Sequence, residues 1–394
     1  MTEAAIHHGF GALRATEFPW TAETVYLNNA SIGPIPERTR RALDAFNAKR
    51  TAPHHLADRD LLGILQDARQ RVARLLNAEP SEVALAANTS YGLNQAARAL
   101  PLEAGDVALV SDREFPANVY PWLRLGDRGV RVEVVPCTAD GWPDEDRLVA
   151  RLADPRVRLL AVSFVQFSNG FRVDLARISQ ACRENGAYLV VDGIQGVGQC
   201  PLDVRETPVD LLACGGQKWL LSPWGSGFLY IRRELLPSLE PAFVGWMAFQ
   251  GTDDFCRLLA YDPMLRDDGC RFELNTLPYQ DFYGMVHSLD LLLDLGVDRI
   301  GEHTLAVGET LLNWADERGM RVVSPRDPIH RSAIVCLAPA HPAEAYHALK
   351  RAGVVCSLRE GALRFSPHAY NTREELERVI DVLEGEWWPQ HGPP

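Results

Sequence analysis

The chain reads Val-Val-Asp-Gly-Ile-Gln-Gly-Val-Gly at residues 190–198 and Leu-Leu-Ala-Cys-Gly-Gly-Gln-Lys-Trp-Leu-Leu at residues 211–221. The apolar run in each stretch predicts a buried strand, and each run ends in a polar, glycine-rich turn. In an open α/β sheet such turns lie at the carboxyl ends of the strands, where ligands bind. The sequence therefore predicts a ligand site that contains the carboxylate of Asp192 and the amine of Lys218.

This pair of side chains suits pyridoxal phosphate. The cofactor is held as a Schiff base to a lysine, and a carboxylate facing its ring nitrogen keeps that nitrogen protonated, so that the ring can act as an electron sink. Gln195, three residues after Asp192, can donate to the phenolic oxygen of the ring. An aspartate alone at a strand end more often caps a helix, and a lone lysine is more often solvated. Asp192 and Lys218 together, after consecutive strands, favour the cofactor.

The two turns also carry a family resemblance. Asp192-Gly193-Ile194-Gln195 followed by Gly216-Gln217-Lys218-Trp219 resembles the class V aminotransferase family of fold-type I, pyridoxal phosphate-dependent enzymes, which includes cysteine desulfurases, selenocysteine lyases, kynureninases and isopenicillin N epimerase-like proteins. The resemblance covers almost the whole chain, in family order. Further matching pieces are Tyr26-Leu27-Asn28-Asn29-Ala30, Asn88-Thr89-Ser90, Glu114-Phe115-Pro116, Pro121-Trp122, Arg271-Phe272-Glu273 and Arg364-Phe365-Ser366-Pro367-His368.

The resemblance implies the fold and its division into domains. It implies an α/β fold of the fold-type I class, with a mainly parallel, seven-stranded sheet flanked by helices and a smaller C-terminal α/β domain. We expect an N-terminal arm at residues 1–20, a large cofactor-binding domain at 21–260 and a small domain at 261–394. Strands and helices that alternate in the last hundred residues, with a short strand at 321–324, are typical of such a small domain.

A phosphate site is predicted at Asn88, Thr89 and Ser90. They follow an apolar run, and apolar residues then recur at helical spacing, so a helix begins here. A helix N-terminus offers unpaired N–H groups and a favourable dipole, and hydroxyl groups add further donors to a phosphate. The alternative is an ordinary N-cap.

The resemblance implies cofactor contacts for four more residues. Phe115 takes the place of an aromatic ring that stacks on the pyridine, where desulfurases usually have a proton-carrying histidine. Gln217 stands where histidine is common, and its amide can still donate to the phosphate. Gln166 is expected to reach the face or the phenolic oxygen of the cofactor. Thr276 would donate to the phosphate of the other subunit of a homodimer, its alternative being an N-cap of the helix that follows.

Two residues are candidates for binding an amino-acid substrate. A guanidinium group grips a carboxylate through two parallel hydrogen bonds, so Arg364 is the candidate for the α-carboxylate. Arg359 is its rival, and a structural salt bridge is the alternative for either. The resemblance brings the loop 29–34 to the mouth of the site, where Asn29 would contact the substrate unless the loop is a bare surface turn.

Composition limits the partners. The 394 residues carry a formal net charge of −12, which argues against nucleic-acid and anionic membrane partners. The chain has no long apolar run and no signal-like N-terminus. Eight cysteines without paired spacing predict reduced thiols in a cytoplasmic protein. Since the histidines and cysteines form no ligand-like cluster, we expect no metal.

The sequence is less specific about the reaction. Cys356 lies in an apolar run and resembles a buried strand residue more than a sulfur carrier. We therefore expect a lyase that cleaves a Cβ–X or C–S bond, ahead of a sulfur-relay desulfurase, with transamination second. Epimerisation and a non-catalytic cofactor-binding protein are further alternatives, although the retention of Asp192, Lys218 and Arg364 argues against the latter. A nicotinamide dehydrogenase lacks its Gly-x-Gly-x-x-Gly fingerprint here.

Overall fold

The computed structural model describes residues 3–391, with side chains from residue 10 onwards. The expected arm at 1–20 is therefore described from residue 3, and its part up to Glu17 is helical. The α-helices are α1 Glu3–Glu17, α2 Glu37–Arg50, α3 Asp58–Leu76, α4 Thr89–Ala99, α5 Tyr120–Leu123, α6 Glu145–Leu152, α7 Leu175–Glu184, α8 Tyr279–Leu295, α9 Val297–Glu317, α10 Pro342–Arg351, α11 Arg373–Val382 and α12 Trp388–His391. No helix within the described residues is long and apolar enough to cross a membrane.

A large sheet forms the centre of the molecule. The strands of the described chain are β1 Val25–Tyr26, β2 Val83–Leu85, β3 Val107–Ser111, β4 Arg131–Val135, β5 Val157–Ser163, β6 Tyr188–Asp192, β7 Leu211–Gly215, β8 Gly227–Ile231, β9 Val335–Leu337, β10 Val354–Val355, β11 Ser357–Arg359 and β12 Ala362–Phe365. Seven of them form the sheet in the order β2-β8-β7-β6-β5-β3-β4. Strand β8 runs antiparallel to its two neighbours, and the remaining pairs are parallel. This confirms the predicted α/β fold with a mainly parallel sheet.

The central strands are apolar along their whole length because both faces of the sheet are covered. Successive residues point to opposite faces, so Val190 and Leu211 enter one hydrophobic cluster while Val191 and Leu212 enter another. Helix α4 covers the first face and α7 the second. The carboxyl ends of β6 and β7 are therefore fixed by a core on each side.

The C-terminal part contains a second, antiparallel sheet in the order β11-β12-β9. Helices α9, α10 and α11 share a separate hydrophobic cluster with it. Strand β1 joins this part, since it pairs in parallel with β10, and Asn28 forms an isolated bridge to Ser366. The N-terminal loop after β1 is thereby held beside the last strand of the small sheet.

The structure differs from the strand predictions at residues 321–324. This segment forms no named strand, and only Val322 makes an isolated bridge to Leu337. The edge strand β4 and helix α6 were not predicted, because the exposed edge of a sheet alternates charged and apolar residues over too short a run. The domain limits at residues 20 and 260 stay predictions.

Candidate active site

Asp192 and Lys218 lie at the same edge of the large sheet. Asp192 is the last residue of β6 and pairs with Ser163 on one side and Ala213 on the other. It is 2 % exposed, and one carboxylate oxygen accepts a hydrogen bond of 3.0 Å from the backbone N–H of Ile194. Burial raises the pKa of Asp192 to about 6, while the nearby Lys218 cation acts in the opposite direction. The carboxylate is thus held at the end of the strand, as the sequence predicted.

Lys218 occupies a tight turn just after β7. Its carbonyl oxygen accepts hydrogen bonds from the Leu221 N–H, at 3.1 Å, and from the Asn29 amide, at 3.3 Å. A side chain at Gly33 would place its Cβ 2.1 Å from that same oxygen, so the close approach of the two loops requires glycine there. Burial lowers the pKa of the Lys218 amine to about 8. About a tenth of this amine is therefore uncharged at pH 7, far more than for a lysine with an ordinary pKa.

The ring of Phe115 lies beside this amine. The Lys218 Nζ atom is 5.7 Å from the centre of the Phe115 ring. The Phe115 ring in turn makes an edge contact with Phe167, with 5.3 Å between the ring centres. Phe115 is 45 % exposed, so its ring has an uncovered surface available to a ligand. The structure thus brings the predicted stacking residue next to the predicted lysine.

Arg364 lies on β12, buried and 2 % exposed. Its guanidinium donates to the Phe167 carbonyl at 2.7 Å, to the Ser31 hydroxyl at 2.7 Å and to the Ser357 hydroxyl at 3.3 Å. These acceptors are all neutral, and no carboxylate within the described residues pairs with it. Its Nε is buried without an acceptor, and burial lowers its pKa to about 10. A buried guanidinium without an acidic partner is prepared for an anionic ligand.

Arg359, the rival candidate, lies at the end of β11 and is exposed. Its positive charge contributes to the lowered pKa of both Lys218 and Arg364. Arg359 is therefore close enough to act on the site electrostatically. Of the two arginines, only Arg364 is buried.

The predicted phosphate residues meet at the start of α4. Asn88 is the N-cap, and its side chain accepts from the Tyr91 N–H at 2.9 Å. The buried Thr89 hydroxyl accepts from the Gly215 N–H at 2.9 Å, whereas Ser90 is exposed. A Cβ at Gly215 would lie 2.5 Å from the Gln217 amide oxygen and 3.3 Å from the Thr89 hydroxyl. Thr89 and Gln217 are thus both packed against Gly215 at the N-terminus of α4, which leaves no room for a side chain at that position.

Two predicted ligand contacts are occupied by the protein itself. The Gln195 amide donates to the Ala30 carbonyl at 3.0 Å and accepts from the Trp219 indole at 2.8 Å. The Asn29 amide donates to the Lys218 carbonyl and accepts from the Tyr370 hydroxyl at 3.0 Å. Both residues fasten the N-terminal loop to the lysine turn. Their contacts with cofactor and substrate stay predictions.

Thr276 is exposed and lies two residues before Pro278, the N-cap of α8. The alternative that Thr276 caps this helix is therefore wrong, because α8 begins at Tyr279. Within the described residues Thr276 makes no hydrogen bond to the Asp192 and Lys218 turns. Its predicted role in a second subunit stays a prediction.

Two supporting residues were missed. His368 lies fully buried against Trp219, donates from Nε2 to the Trp219 carbonyl at 3.1 Å and accepts at Nδ1 from the Ala369 N–H at 2.7 Å. Burial lowers the pKa of His368 to about 4, so it is a neutral support for the lysine turn. Glu114 is buried beside Gln166, and burial raises its pKa to about 7. Both residues belong to sequence motifs named above, but their hydrogen-bond partners are distant in sequence and could not be predicted from those motifs.

Comparison with known proteins agrees with this geometry. The family model described as aminotransferase class-V matches residues 25–379. The chain belongs to the class V aminotransferase family. Its members depend on pyridoxal phosphate, and this chain is accordingly a pyridoxal phosphate-dependent enzyme that acts on an amino acid.

Individual relatives of this class V chain carry different reaction names. An uncharacterized aminotransferase of Bacillus subtilis is 31 % identical over 80 % of this chain and 82 % of its own length. Isopenicillin N epimerase of Amycolatopsis lactamdurans is 31 % identical over 91 % of this chain and 94 % of its own. The solved structure of a cysteine desulfurase from Thermococcus onnurineus superposes with a TM-score of 0.84 at 23 % identity, covering 95 % of this chain and 97 % of that one. The fold is therefore common to enzymes of several activities.

Proposed function

We propose that Lys218 carries the pyridoxal phosphate and that Arg364 binds the α-carboxylate of an amino-acid substrate, from which the enzyme removes a group at Cβ. The observation that carries the proposal is the buried Arg364 guanidinium, whose hydrogen-bond partners are all neutral and whose positive charge acts on Lys218. A fixed buried cation of this kind selects an anionic ligand.

The residues present fit the cofactor. Asp192 offers a buried carboxylate, whose second oxygen carries no hydrogen bond from the described residues. Lys218 offers an amine with a lowered pKa, over the ring of Phe115. Thr89 and Gln217 both lie close to Gly215 at the N-terminus of α4, where phosphate binds well. Bound pyridoxal phosphate supplies an electron sink for negative charge at the substrate's Cα.

Each side chain of this group then has a task. The Asp192 carboxylate holds a proton on the ring nitrogen, because a buried anion and a cation stabilise each other. The Lys218 amine, with its pKa near 8, accepts the proton from Cα. The electrons of that bond form a Cα–Cβ double bond, and the group at Cβ leaves with its bonding electrons and takes up the proton from Lys218. Arg364 fixes the substrate through its carboxylate and so sets which Cα bond faces Lys218. Phe115 cannot carry a proton, which leaves proton movement to Lys218.

A lyase fits better than a sulfur relay because the cysteines are unsuited to relay sulfur. Burial raises the pKa of both Cys336 and Cys356 to about 12, and Cys336 donates to the Ser168 carbonyl at 3.4 Å. A thiol reacts as its thiolate, so these buried thiols are poor nucleophiles. Cys256 is exposed, and its backbone N–H is bonded locally, to the Asp254 carboxylate at 3.0 Å, within the surface segment 243–264. We therefore propose that the group lost from Cβ leaves as a free product.

The test is a visible spectrum of the purified holoprotein during addition of single amino acids, with analysis of the products. A lyase regenerates the starting spectrum without a second substrate, while a keto acid and a leaving group accumulate. Stable conversion to the pyridoxamine form, restored by a keto acid, would instead establish an aminotransferase, in line with the name of the Bacillus subtilis relative. Inversion at Cα without a keto acid would establish an epimerase.

We also propose that the enzyme is a homodimer of the cytoplasm. Residues 243–264 form a surface segment rich in exposed apolar side chains, including Tyr261 at 85 % and Leu259 at 81 % exposure. Such a surface is typical of an interface. Thr276 follows this segment and is itself exposed, so a partner's phosphate site is the role we assign to it. All eight cysteines are free, as suits a reducing compartment.

A further inference from the structure

Arg364 is almost completely covered by its own chain, although the proposed function requires its guanidinium to meet a carboxylate. The residue is 2 % exposed, and its Nε is buried without an acceptor. Its Nη1 donates to the Phe167 carbonyl at 2.7 Å, and its Nη2 donates to the hydroxyls of Ser31, at 2.7 Å, and Ser357, at 3.3 Å. A ligand can therefore reach this group only if one of these acceptors moves.

The hydrogens on Nη2 decide which kind of contact is given up. A guanidinium presents two edges to a carboxylate, the Nη1–Nη2 edge and the Nε–Nη2 edge, and Arg151 uses the second against Glu133. Each edge includes one hydrogen of Nη2. In Arg364 the two hydrogens of Nη2 are both accepted by serine hydroxyls. A carboxylate bound through two parallel hydrogen bonds therefore replaces one of the two serines.

Ser31 is the serine that can be replaced. It is partly exposed in the loop after β1, whereas Ser357 is 7 % exposed on β11, directly opposite Arg364 in the sheet. The Ser357 hydroxyl also donates to the side chain of Asn28, which holds it from a second direction. Besides Arg364, the Ser31 hydroxyl contacts only the Ser357 hydroxyl, at 3.2 Å, within the described residues. The more weakly held and more accessible hydroxyl is thus that of Ser31.

The Ser31 side chain can turn away while its loop stays in place. The Ala30 N–H donates to the Ser366 hydroxyl at 2.9 Å, and the Gly33 N–H donates to the Gln217 carbonyl at 2.8 Å. These bonds fasten the backbone on both sides of Ser31. Side chains with exposed surface change rotamer within nanoseconds. The exchange therefore needs the rotation of one side chain and no movement of the fold.

We propose that the Ser31 hydroxyl occupies the place of the substrate's α-carboxylate on Arg364 and gives way when the substrate binds. A hydroxyl is a weaker acceptor for a guanidinium than a carboxylate is, so an anion gains by the exchange. A ligand without a carboxylate gains nothing, which makes Ser31 a specificity-determining residue. This inference rests on the proposed function and adds to it a competitor that is built into the chain.

The experiment compares three amino acids with the amines that lack their carboxylate, namely L-alanine with ethylamine, L-serine with ethanolamine and L-2-aminobutyrate with propylamine. Dissociation constants are measured from the absorption change of the holoprotein. Ser31→Ala removes the competing acceptor, so it should raise the affinity for the amino acids by about fivefold, the value of one hydrogen bond, and leave that for the amines unchanged. A lowered affinity for the amino acids would show that Ser31 binds the substrate, and an unchanged affinity would show that it does not compete. Either result overturns the inference.

Two further variants separate this role from a loss of stability. Ser81→Ala is the matched control, because Ser81 is a partly exposed serine whose hydroxyl also accepts from an arginine, Arg233, at 2.9 Å, close to the start of β2. It should leave every affinity unchanged. Ser31→Asp provides Arg364 with a permanent carboxylate, so it should lower the affinity for the amino acids by at least about tenfold while the absorption of the lysine-bound cofactor is kept. Undiminished affinity in Ser31→Asp would contradict the replacement.

The inference and the proposed function fail in different ways. Borohydride reduction that leaves no cofactor adduct on Lys218 would overturn the proposed function. A wild type that binds none of the three amino acids would remove the carboxylate site from Arg364 and the inference with it. An adduct on Lys218, together with amino-acid affinities that Ser31→Ala does not raise, would overturn the role of Ser31 alone.

Discussion

Two regions of the molecule differ in the contacts of their side chains. They are the turns around Asp192 and Lys218, and the surface segment 243–264. At the turns nearly every polar group is buried and bonded within the chain, as the amides of Asn29 and Gln195 illustrate. In the segment, apolar side chains such as Leu259 and Tyr261 are exposed, and Leu258 and Tyr261 line an open cavity of 1040 Å³. The first region presents buried polar groups, whereas the second exposes a broad apolar surface.

The two regions are suited to different partners. The groups that the turns offer to a ligand are few and polar, and each has a defined direction, which suits a small ligand. The segment 243–264 exposes a broad apolar surface, which suits contact with another protein surface. Substitutions should therefore affect chemistry at the first region and association at the second.

The largest effect is expected from Lys218→Ala. Loss of the amine removes both the attachment of the cofactor and the proton carrier, so turnover should fall by at least about a thousandfold. Peptide mapping after borohydride reduction should find the adduct on Lys218 in the wild type. An adduct on another lysine of the wild type would show that Lys218 does not carry the cofactor.

Arg364→Ala should weaken the affinity for amino acids by about a hundredfold, since a charge-assisted hydrogen-bond pair is lost. The absorption of the lysine-bound cofactor should be unchanged, because Arg364 is not expected to hold the cofactor. Arg359→Ala is the matched control, an exposed arginine nearby, and should change the affinity little. Equal effects of the two variants would contradict the assignment to Arg364.

The cofactor-free protein should become more stable when Lys218 is replaced by methionine. Burial lowers the pKa of Lys218 to about 8 from the ordinary value of 10.5. The unfolded chain therefore binds the proton more tightly, and the cost of burial is fully present below pH 8 and is lost as the pH rises towards 10.5. We expect Lys218→Met to raise the free energy of unfolding by about 2 kcal/mol at pH 7 and by less at pH 10.

Urea unfolding of the cofactor-free proteins at the two pH values measures this difference. Lys49→Met, at an exposed lysine of α2, is the control and should leave stability within about 0.5 kcal/mol. A Lys218→Met protein that is no more stable than the wild type at pH 7 would show that the amine is not under strain from burial.

The smallest effect concerns association. Replacing Tyr261 by serine should weaken the proposed dimer by about tenfold, because one large apolar contact is lost. Ile329→Ser is the control, since Ile329 is 55 % exposed outside the segment, and it should leave the dimer unchanged. Sedimentation equilibrium over a range of protein concentrations gives both constants. Equal weakening by the two variants would remove the segment from the interface.

Local patterns in the sequence predicted the main parts of the site. Asp192 and Lys218 each follow an apolar run, and because parallel neighbours end at one edge of the sheet, their proximity followed from the order of the runs. Thr89 was expected at a helix start and lies there. The fold class followed from the same alternation of strands and helices, supported by the family resemblance.

Contacts between distant segments lay beyond such patterns. The Gln195 amide is bonded to Ala30, 165 positions away, and the Asn29 amide to Lys218, 189 positions away. An amide has a donor and an acceptor end, and the sequence does not show which partner each end meets. Glu114 was missed for the same reason, because a glutamate in a turn is usually exposed until its donors are known.

The pairing of β1 with β10, and of Asn28 with Ser366, affects how the enzyme is made. A ribosome releases the N-terminal loop first, but the strands that hold this loop are translated more than three hundred codons later. Contacts of such high sequence separation form late and slowly. Asn29 can therefore be fixed beside the lysine turn only after β10 and Ser366 have been synthesised, long after Lys218 itself.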